Sequence, residues 1–258
     1  MYTIDMRGRH ALVMGVANHR SLSWAIAQDL AKAGASLCLT YAGERLKKEV
    51  EELAATLPDA FTIECDVTKD HEIDEVSKQL ATRWGSLEML VHGIAFARKE
   101  DLEGSFVKTP REGFQLALDV SAYSYINVVN RVLPLLEKNG ASVITLSYLA
   151  AVRAIPNYNV MGSAKAVLEQ ATRQMAYELG AKKIRVNALS AGPVSTLAAR
   201  GIRGFTGMLK EHAGAAPLER NITKEEVGTA GLFLLSDLAS GITGTTLYVD
   251  AGWHILGM

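Results

Sequence analysis

Short apolar runs rich in β-branched residues alternate along the chain with longer amphipathic stretches. A short apolar run is typical of a buried strand, and apolar positions that recur every three or four residues are typical of a helix. Strands are predicted at residues 10–14, 36–41, 61–65, 89–92, 142–147, 185–190 and 245–249. Helices are predicted at residues 23–33, 44–57, 72–84, 111–137 (broken), 158–180 and 224–236.

Strands and helices that alternate in this way build βαβ units around a parallel sheet that is buried on both faces. We therefore predict an α/β fold, with a Rossmann-type, doubly wound, parallel sheet of seven strands inside three α/β/α layers. The alternation continues almost to the C-terminus without a linker, a repeat or a low-complexity run. A single domain is therefore expected over residues 1–258.

The one long departure from the alternation covers residues 191–218, which follow the sixth predicted strand and contain several glycines. In an open α/β sheet, ligands bind beyond the carboxyl ends of the strands. This position favours a substrate-binding lid over a plain surface loop, since long ordered loops are often functional.

Composition excludes several other classes of protein. The net charge of -1 offers no basic surface for nucleic acid, and no apolar run approaches the length of a membrane span. Cys38 and Cys65 lie inside predicted strands, so we expect buried thiols and a reducing, cytoplasmic location. The histidines are scattered without the spacing of metal ligands, so no metal site is expected.

The turn after the first predicted strand has features of a phosphate-binding loop. Gly15 ends the strand, and Ser21, Leu22 and Ser23 open the next helix. A helix N-terminus offers backbone N–H groups to phosphate, and Ser21 or Ser23 can cap the helix while Ser21 offers a hydroxyl to a pyrophosphate. The glycine fingerprint G-x-G-x-x-G is incomplete, so this turn alone is weak support for a dinucleotide site.

Residues after the next strands strengthen the prediction. Asp66, followed by Val67, stands where a carboxylate can accept a hydrogen bond from an adenine amino group, although an N-cap or turn role is the alternative. Small residues around Ile94 let the backbone approach a ribose. After the second strand, Ala42 and Gly43 provide neither an acid for a ribose 2′-hydroxyl nor a basic pair for a 2′-phosphate. The sequence thus favours NADH, while a nearby arginine at position 45 keeps NADPH open.

Tyr158 and Lys165 form the candidate catalytic pair. Their spacing of seven residues is two helical turns, which places both on nearly one face. A lysine cation near a phenol is expected to lower its pKa from about 10 and to make the hydroxyl a better donor to developing negative charge. Taken by themselves, a core-edge tyrosine and a surface lysine are the common alternative.

Several motifs together resemble the bacterial NADH-dependent enoyl-(acyl carrier protein) reductases of the short-chain dehydrogenase/reductase superfamily, over essentially the whole chain. These motifs are Gly-Val-Ala at 15–17, Cys-Asp-Val at 65–67, Leu-Ser-Tyr at 146–148, Ala-Ile-Pro-Asn-Tyr-Asn-Val-Met-Gly at 154–162, Lys165, Ser-Ala-Gly-Pro at 190–193 and Thr-Leu-Ala at 196–198. Other superfamily members place their tyrosine four residues before the lysine. Here Met161 holds that position and the tyrosine is at 158, as in the enoyl reductases.

The resemblance implies hydride transfer from NADH to the β-carbon of a trans-2-enoyl thioester, which is the last reductive step of fatty acid elongation in type II fatty acid synthesis. It assigns Tyr158 to the thioester carbonyl, Lys165 to the nicotinamide ribose, and Tyr148 to the active site as proton donor or pocket wall. The cofactor-binding residues it implies are Gly15, Ser21, Leu22, Asp66, Val67, Ile94, Lys165, Val194, Ser195, Thr196, Leu197 and Ala198. The substrate-binding residues it implies are Ala97, Phe205 and Met208.

The resemblance also implies a homotetramer, and an enoyl-acyl carrier protein as the substrate. Basic residues of the lid, which are Arg200, Arg203 and Lys210, are candidates for contact with the acidic carrier, although a solvated basic face is an equal alternative.

The chain departs from the family pattern at a few positions. Gly93, Ile94, Ala95 and Phe96 stand where the family commonly has Ser-Ile-Gly-Phe, and Met14 replaces a frequent threonine. NADPH-using members carry a basic pair at positions 42 and 43, which again favours NADH. The Cβ of Ala95 is expected to narrow the pocket near the nicotinamide.

Two other functions fit the same fold. A carbonyl reductase or alcohol dehydrogenase is disfavoured because Met161 occupies the position of its tyrosine. A regulator that senses NAD(H) without turnover need not retain a proton-handling tyrosine and lysine, and this chain has both.

Overall fold

The computed structural model describes residues 4–196, 199 and 203–257. These residues form one seven-stranded sheet, in which every strand pairs in parallel with its neighbours and the order is β3-β2-β1-β4-β5-β6-β7. The strands are β1 (His10–Met14), β2 (Ser36–Tyr41), β3 (Ala60–Glu64), β4 (Met89–His92), β5 (Ala141–Ser147), β6 (Ile184–Ala191) and β7 (Thr246–Val249). The predicted Rossmann-type parallel sheet is confirmed.

The α-helices of the described residues are α1 (Leu22–Lys32), α2 (Glu44–Ala54), α3 (Asp70–Arg83), α4 (Lys99–Leu102), α5 (Arg111–Leu118), α6 (Ser124–Leu136), α7 (Asn159–Leu179), α8 (Phe205–Ala215) and α9 (Lys224–Leu235). The break predicted within residues 111–137 is a π-helical stretch, Asp119–Tyr123, that joins α5 to α6. Helix α9 begins with a complete capping box between Thr223 and Glu226.

Side chains that alternate along β1 build the two halves of the core. Ala11 and Val13 are fully buried in a cluster that includes residues of α1 and α9. Leu12 and Met14 are buried on the opposite face, in a cluster that includes residues of α3, α6 and α7. Because successive side chains of a strand point to opposite faces, one apolar strand supplies both cores. This explains why the central strands are uninterrupted apolar runs.

Most element boundaries predicted from sequence differ from the structure by one or two residues. The third strand was predicted at 61–65 and lies at Ala60–Glu64, because Cys65 hydrogen-bonds from its N–H to Tyr41 at the strand's end without continuing the ladder. Helices α4 and α8 were not predicted. Helix α4 has four residues, which are too few for a periodic pattern, and α8 contains Gly207 and Gly214.

The strand order reverses between β1 and β4, which lie side by side at the centre of the sheet. A crevice forms outside the carboxyl ends of the strands at such a switch point. None of the helices in the described part of the chain combines the length and apolar character that a membrane-spanning segment requires. Within the same residues, no group of three or more His, Cys, Asp or Glu side chains is placed to hold a metal.

Candidate active site

A cleft of about 790 Å³ opens at the carboxyl ends of the strands, where the strand order reverses. It is lined by most of the residues singled out in the sequence, which are Gly15, Ser21, Leu22, Asp66, Val67, Ile94, Ala97, Tyr148, Tyr158, Lys165, Val194, Thr196, Phe205 and Met208. Ser195 lies between two of them without lining the cleft itself. Leu197, Ala198 and Arg200 fall outside the described residues. One cleft therefore collects candidate cofactor, catalytic and substrate residues.

Gly15 makes a turn that only glycine can make. Its φ is +88°, and a Cβ built on it would lie 2.2 Å from the carbonyl oxygen of Gly93. Both the left-handed backbone and the close approach of β4 exclude a side chain. The turn after β1 therefore brings bare backbone to the floor of the cleft, which a phosphate-binding loop requires.

Ser21 organises this turn and differs from its predicted role. It is the N-cap of α1, but its side chain makes no capping bond to the helix. Instead its Oγ accepts hydrogen bonds from the backbone N–H groups of Ala17, at 3.0 Å, and Asn18, at 3.2 Å. A hydroxyl that accepts two hydrogen bonds still has its own O–H to donate. Ser21 thus stiffens the loop and keeps one donor for an anionic ligand.

Ser23 explains why glycine stands at position 93. A Cβ at Gly93 would lie 2.0 Å from the Ser23 Oγ and 3.0 Å from the carbonyl oxygen of Met14. The Ser23 hydroxyl is buried and has no hydrogen-bond partner among the described residues. It does not cap α1, which corrects the alternative drawn from sequence. The serine on the helix fills the space that a side chain at position 93 would need.

Asp66 follows β3 and takes the turn role considered for it. Its Oδ1 accepts hydrogen bonds from the backbone N–H of Thr68, at 3.1 Å, and from the Thr68 hydroxyl, at 2.8 Å. Burial alone would raise the pKa of Asp66, but these bonds and the charge of Lys69 lower it, so the group is an anion. The turn occupies Oδ1, and Oδ2 lies 3.7 Å from Lys69 at the rim of the cleft.

One end of the cleft lies beyond β2. Tyr41 is buried at the strand end, and Ala42 and Arg45 line the cleft with exposed side chains. Gly43 has a φ of +72° and precedes α2. Ala42 and Gly43 carry neither an acidic nor a basic side chain at this strand end.

Tyr148 and Tyr158 meet edge to face, with ring centroids 5.0 Å apart and planes inclined by 64°. Tyr158 immediately precedes α7 and Tyr148 immediately follows β5. Burial raises the pKa of the Tyr158 phenol, and the neighbouring Tyr148 raises it further; burial also raises the pKa of Tyr148 to about 12. The expectation that Lys165 lowers the pKa of Tyr158 is wrong. Both phenols are neutral hydrogen-bond donors near pH 7.

Lys165 points from α7 to the end of β5. Its Nζ donates a hydrogen bond of 2.7 Å to the carbonyl oxygen of Leu146, and the residue is 5% exposed. Burial lowers the pKa of Lys165 from 10.5 to about 8, against an opposing contribution from Glu169. An ammonium group has three donors, so two remain for a ligand in the cleft. Lys165 is therefore anchored through the main chain rather than through Tyr158.

An apolar wall closes the other end of the cleft. Phe205 is buried at the start of α8, and the sulfur of Met208 on the same helix accepts a hydrogen bond from the Tyr148 hydroxyl at 3.5 Å. This wall is continued by Leu102 of α4, Leu116 of α5, Val120 of the π-helical stretch and Met161 of α7. The arrangement fits a flexible hydrocarbon chain better than a polar substrate.

Two asparagines beside Tyr158 donate hydrogen bonds from their side chains to backbone carbonyl oxygens of the segments that flank this apolar end. Asn157, whose φ is +59°, donates from its side-chain amide to the carbonyl oxygen of Arg203 at 3.1 Å. Asn159 donates to the carbonyl oxygens of Glu103 and Gly104, at 3.2 and 3.4 Å. Both flanks of the apolar end are therefore fastened to the residues on either side of Tyr158.

Comparison with known proteins decides the family. A sequence profile described as enoyl-(acyl carrier protein) reductase matches residues 15–254. The chain belongs to the enoyl-(acyl carrier protein) reductase family. A protein of Nostoc named enoyl-(acyl carrier protein) reductase (NADH) is 47% identical over 99% of this chain and 100% of its own length. One of the same name from Bacillus subtilis is 48% identical over 97% of this chain and 98% of its own length.

Solved structures of the family superpose closely on this enoyl reductase family member. The Bacillus cereus enoyl-acyl carrier protein reductase, determined with NADP+ and indole naphthyridinone, has a TM-score of 0.96 and 46% identity, with full coverage of both chains. The enoyl-(acyl carrier protein) reductase of Anaplasma phagocytophilum in complex with NAD has a TM-score of 0.95 and 44% identity, covering 100% of this chain and 98% of its own. The resemblance drawn from the sequence motifs is confirmed.

Sequence reasoning missed much of the apolar wall and both asparagine anchors. Leu116 and Val120 belong to an ordinary helical pattern, and nothing in such a pattern separates a cleft-lining side chain from a core side chain, while Leu102 lies in a helix too short to give a pattern. A signal did exist for Asn157, because asparagine tolerates a left-handed backbone and stands directly before the candidate tyrosine. Family motifs located the polar end of the cleft far better than the apolar end.

Proposed function

We propose that this chain is an NADH-dependent enoyl-(acyl carrier protein) reductase that reduces the carbon-carbon double bond of a trans-2-enoyl thioester. The single observation that carries the proposal is the placing of Tyr158 and Lys165 in one cleft at a spacing of seven residues, with Met161 in the position four before the lysine. Tyr148 stands against Tyr158 in the same cleft. This arrangement favours double-bond reduction over carbonyl reduction.

The residues present fit a dinucleotide. Gly15 brings bare backbone to the cleft, Ser21 keeps a hydroxyl donor, and Lys165 keeps two N–H donors. We propose that Gly15, Ser21 and Leu22 hold the pyrophosphate, Asp66 and Val67 the adenine, and Lys165 the nicotinamide ribose. Ile94, Val194, Ser195, Thr196, Leu197 and Ala198 are proposed to complete the cofactor site. When bound, NADH supplies the hydride that adds to the β-carbon of the substrate.

Tyr158 is proposed to stabilise the enolate. As the β-carbon gains a hydride, the electron pair of the double bond moves onto the thioester carbonyl, whose oxygen becomes negative. A neutral phenol with an intact O–H can donate to that oxygen, and its raised pKa keeps the proton on the tyrosine near pH 7. Protonation of the α-carbon, with a proton drawn ultimately from water, completes the reduction.

The remaining groups are proposed to exclude water and hold the acyl chain. Ala97, Phe205 and Met208 would contact the substrate, with residues 191–218 acting as a lid over it. The contact between the Tyr148 hydroxyl and the Met208 sulfur joins the lid to the reacting end of the cleft. We assign Tyr148 a pocket-forming role first, since its hydroxyl is turned towards the lid.

A paired substrate assay tests the proposal. Purified protein with NADH and crotonyl thioester should show loss of nicotinamide absorbance at a rate well above that with a β-ketoacyl thioester. Loss with the ketoacyl substrate alone would identify a carbonyl reductase. No loss with either, combined with measurable NADH binding, would identify a sensor.

A homotetramer is also proposed. Helix α7 exposes Val167 and Tyr177, the latter by 86%, and the neighbouring α6 exposes Ile126. Exposed apolar side chains on the two long helices support burial between subunits. Light scattering that reports four subunits would support this assembly, and a monomer would contradict it.

Contact with an acidic carrier protein is proposed at the lid. Arg203 is 76% exposed at its side chain, with a carboxylate oxygen of Glu103 at 4.0 Å, and Lys210 is exposed on α8. Arg203→Glu should raise KM for carrier-bound substrate and leave KM for a small thioester unchanged. Equal effects on both substrates would contradict a carrier contact. The cytoplasmic location expected from the sequence stays a prediction.

A further inference from the structure

A buried carboxylate that the proposed reaction does not use lies behind the catalytic lysine. Glu169, on α7, is 5% exposed. Its Oε1 accepts a hydrogen bond of 2.6 Å from the hydroxyl of Ser147, which is 6% exposed. Taking a carboxylate out of water is costly unless hydrogen bonds and opposite charge compensate it. A buried glutamate at this place therefore needs an explanation.

Glu169 is joined to the catalytic groups by its position in two elements. It follows Lys165 by four residues on α7, which is the spacing of side-chain neighbours on a helix. Its hydrogen-bond partner Ser147 stands between Leu146, whose carbonyl oxygen holds the Lys165 ammonium, and Tyr148, which lines the cleft. The Glu169 carboxylate thus holds Ser147, the residue of β5 that lies between Leu146 and Tyr148.

We infer that Glu169 is a positioning residue for the reduction: its charge keeps Lys165 in the ammonium form, and its hydrogen bond from Ser147 fixes the end of β5. This inference rests on the proposed function, in which Lys165 binds the cofactor as a cation. The carboxylate itself does not touch substrate or cofactor in this assignment, since Ser147 and the β5 backbone stand between them.

The other titratable groups around the pair do not supply the compensating charge. His92 of β4, which interacts electrostatically with Lys165, is neutral, because burial and the lysine charge lower the pKa of His92 to about 3. Tyr148 and Tyr158 are neutral phenols. Tyr248 of β7 faces Glu169, and burial followed by the Glu169 charge raises its pKa, so it too is neutral. Glu169 is the group that opposes the effect of burial on Lys165.

Two substitutions separate the charge of Glu169 from its hydrogen bond. Glu169→Gln removes the charge and leaves an oxygen that can still accept from Ser147. Ser147→Ala removes the hydrogen bond and leaves the charge. Both variants are compared with the unaltered protein in NADH binding, by nicotinamide fluorescence between pH 6 and 10, and in kcat with crotonyl thioester.

The expected results differ in kind. In the unaltered protein, the dissociation constant for NADH should rise as pH passes about 8, where Lys165 loses its proton. Glu169→Gln should move this rise about one pH unit lower, the usual effect of one nearby charge, so that binding at pH 8 is weakened several-fold more than at pH 6. Ser147→Ala should leave the rise where it is and lower kcat by roughly threefold to tenfold at every pH, since an interior hydrogen bond contributes about 1 kcal/mol.

Lys165→Arg serves as the control that assigns the titration, because arginine stays protonated throughout this range. An alkaline rise that persists in Lys165→Arg would overturn the inference, as would a Glu169→Gln variant with an unshifted rise. If Glu169→Gln does not fold, a Ser147→Ala variant that shifts the rise by a full unit also overturns it. Failure of the unaltered protein to oxidise NADH with crotonyl thioester would instead refute the proposed function.

Discussion

Replacing Lys165 by methionine should abolish reduction and make the protein more stable near pH 7. The ammonium group is almost completely buried, and its pKa falls from 10.5 to about 8. A tenfold change in proton affinity is worth about 1.4 kcal/mol, so holding this charge in the folded protein costs roughly 3 kcal/mol. Methionine has a similar length and no charge. It forfeits the hydrogen bond to the Leu146 carbonyl, at about 1 kcal/mol. The lost attraction between Lys165 and Glu169 is already contained in the lowered pKa, so a net gain of roughly 2 kcal/mol remains.

The pH dependence of this gain distinguishes the electrostatic cost from ordinary packing. Because the folded pKa of Lys165 lies below that of the unfolded chain, the unfolded chain binds more protons between about pH 8 and 10.5. The stability of the unaltered protein should therefore rise with pH across that window, and the advantage of Lys165→Met should shrink by most of its value.

Urea unfolding at pH 7 and pH 10 measures both effects, with Lys138→Met, an exposed lysine, as the matched control. The control should change the free energy of unfolding by less than about 0.5 kcal/mol at either pH. A Lys165→Met variant that is less stable than the unaltered protein at pH 7, or an advantage that does not vary with pH, would refute the reasoning.

Three further substitutions, two of them paired with a comparison variant, probe the cleft. In steady-state assays, Tyr158→Phe should lower kcat by about 100-fold to 1,000-fold with little change in NADH binding. Tyr148→Phe loses only the contact with the Met208 sulfur and should lower kcat by less than about tenfold, so equal losses of kcat would contradict the assignment. Gly15→Ala should abolish NADH binding, measured by fluorescence, because the new Cβ would lie 2.2 Å from a backbone oxygen. Gly43→Ala, at a φ of +72° in open space, should only lower the free energy of unfolding by about 1–2 kcal/mol. Asp66→Ala should weaken NADH binding roughly tenfold by calorimetry, and an unchanged dissociation constant would limit this residue to its turn.

The fold could be predicted from the sequence because the strands of a buried parallel sheet have a distinctive hydrophobic pattern. Strands such as β1 and β4 are buried on both faces, so they appear as uninterrupted apolar runs that a helical period cannot explain. Helix α8 could not be predicted in the same way. Its sequence contains Gly207 and Gly214, and its helical form depends on packing of Phe205 and His212 against the rest of the domain.

The candidate site, too, could be predicted from the sequence only in part. Spacing placed Tyr158 and Lys165 in one cleft, but it did not reveal that Lys165 donates to the Leu146 carbonyl or that burial dominates both pKa values. Such effects depend on which atoms are withdrawn from water, and a linear pattern carries no measure of that. The pairing of Ser23 with Gly93 was hidden for the same reason, since it joins residues far apart in the chain.

The anchoring of the cleft through Asn157 and Asn159 bears on how this scaffold can change. Both amides bind carbonyl oxygens, and every residue type carries a carbonyl oxygen in its backbone. The side chains at positions 103 and 203 can therefore vary without releasing the two flanks from the residues beside Tyr158. A scaffold fastened in this way can change its side chains at both flanks while the position of Tyr158 is inherited intact.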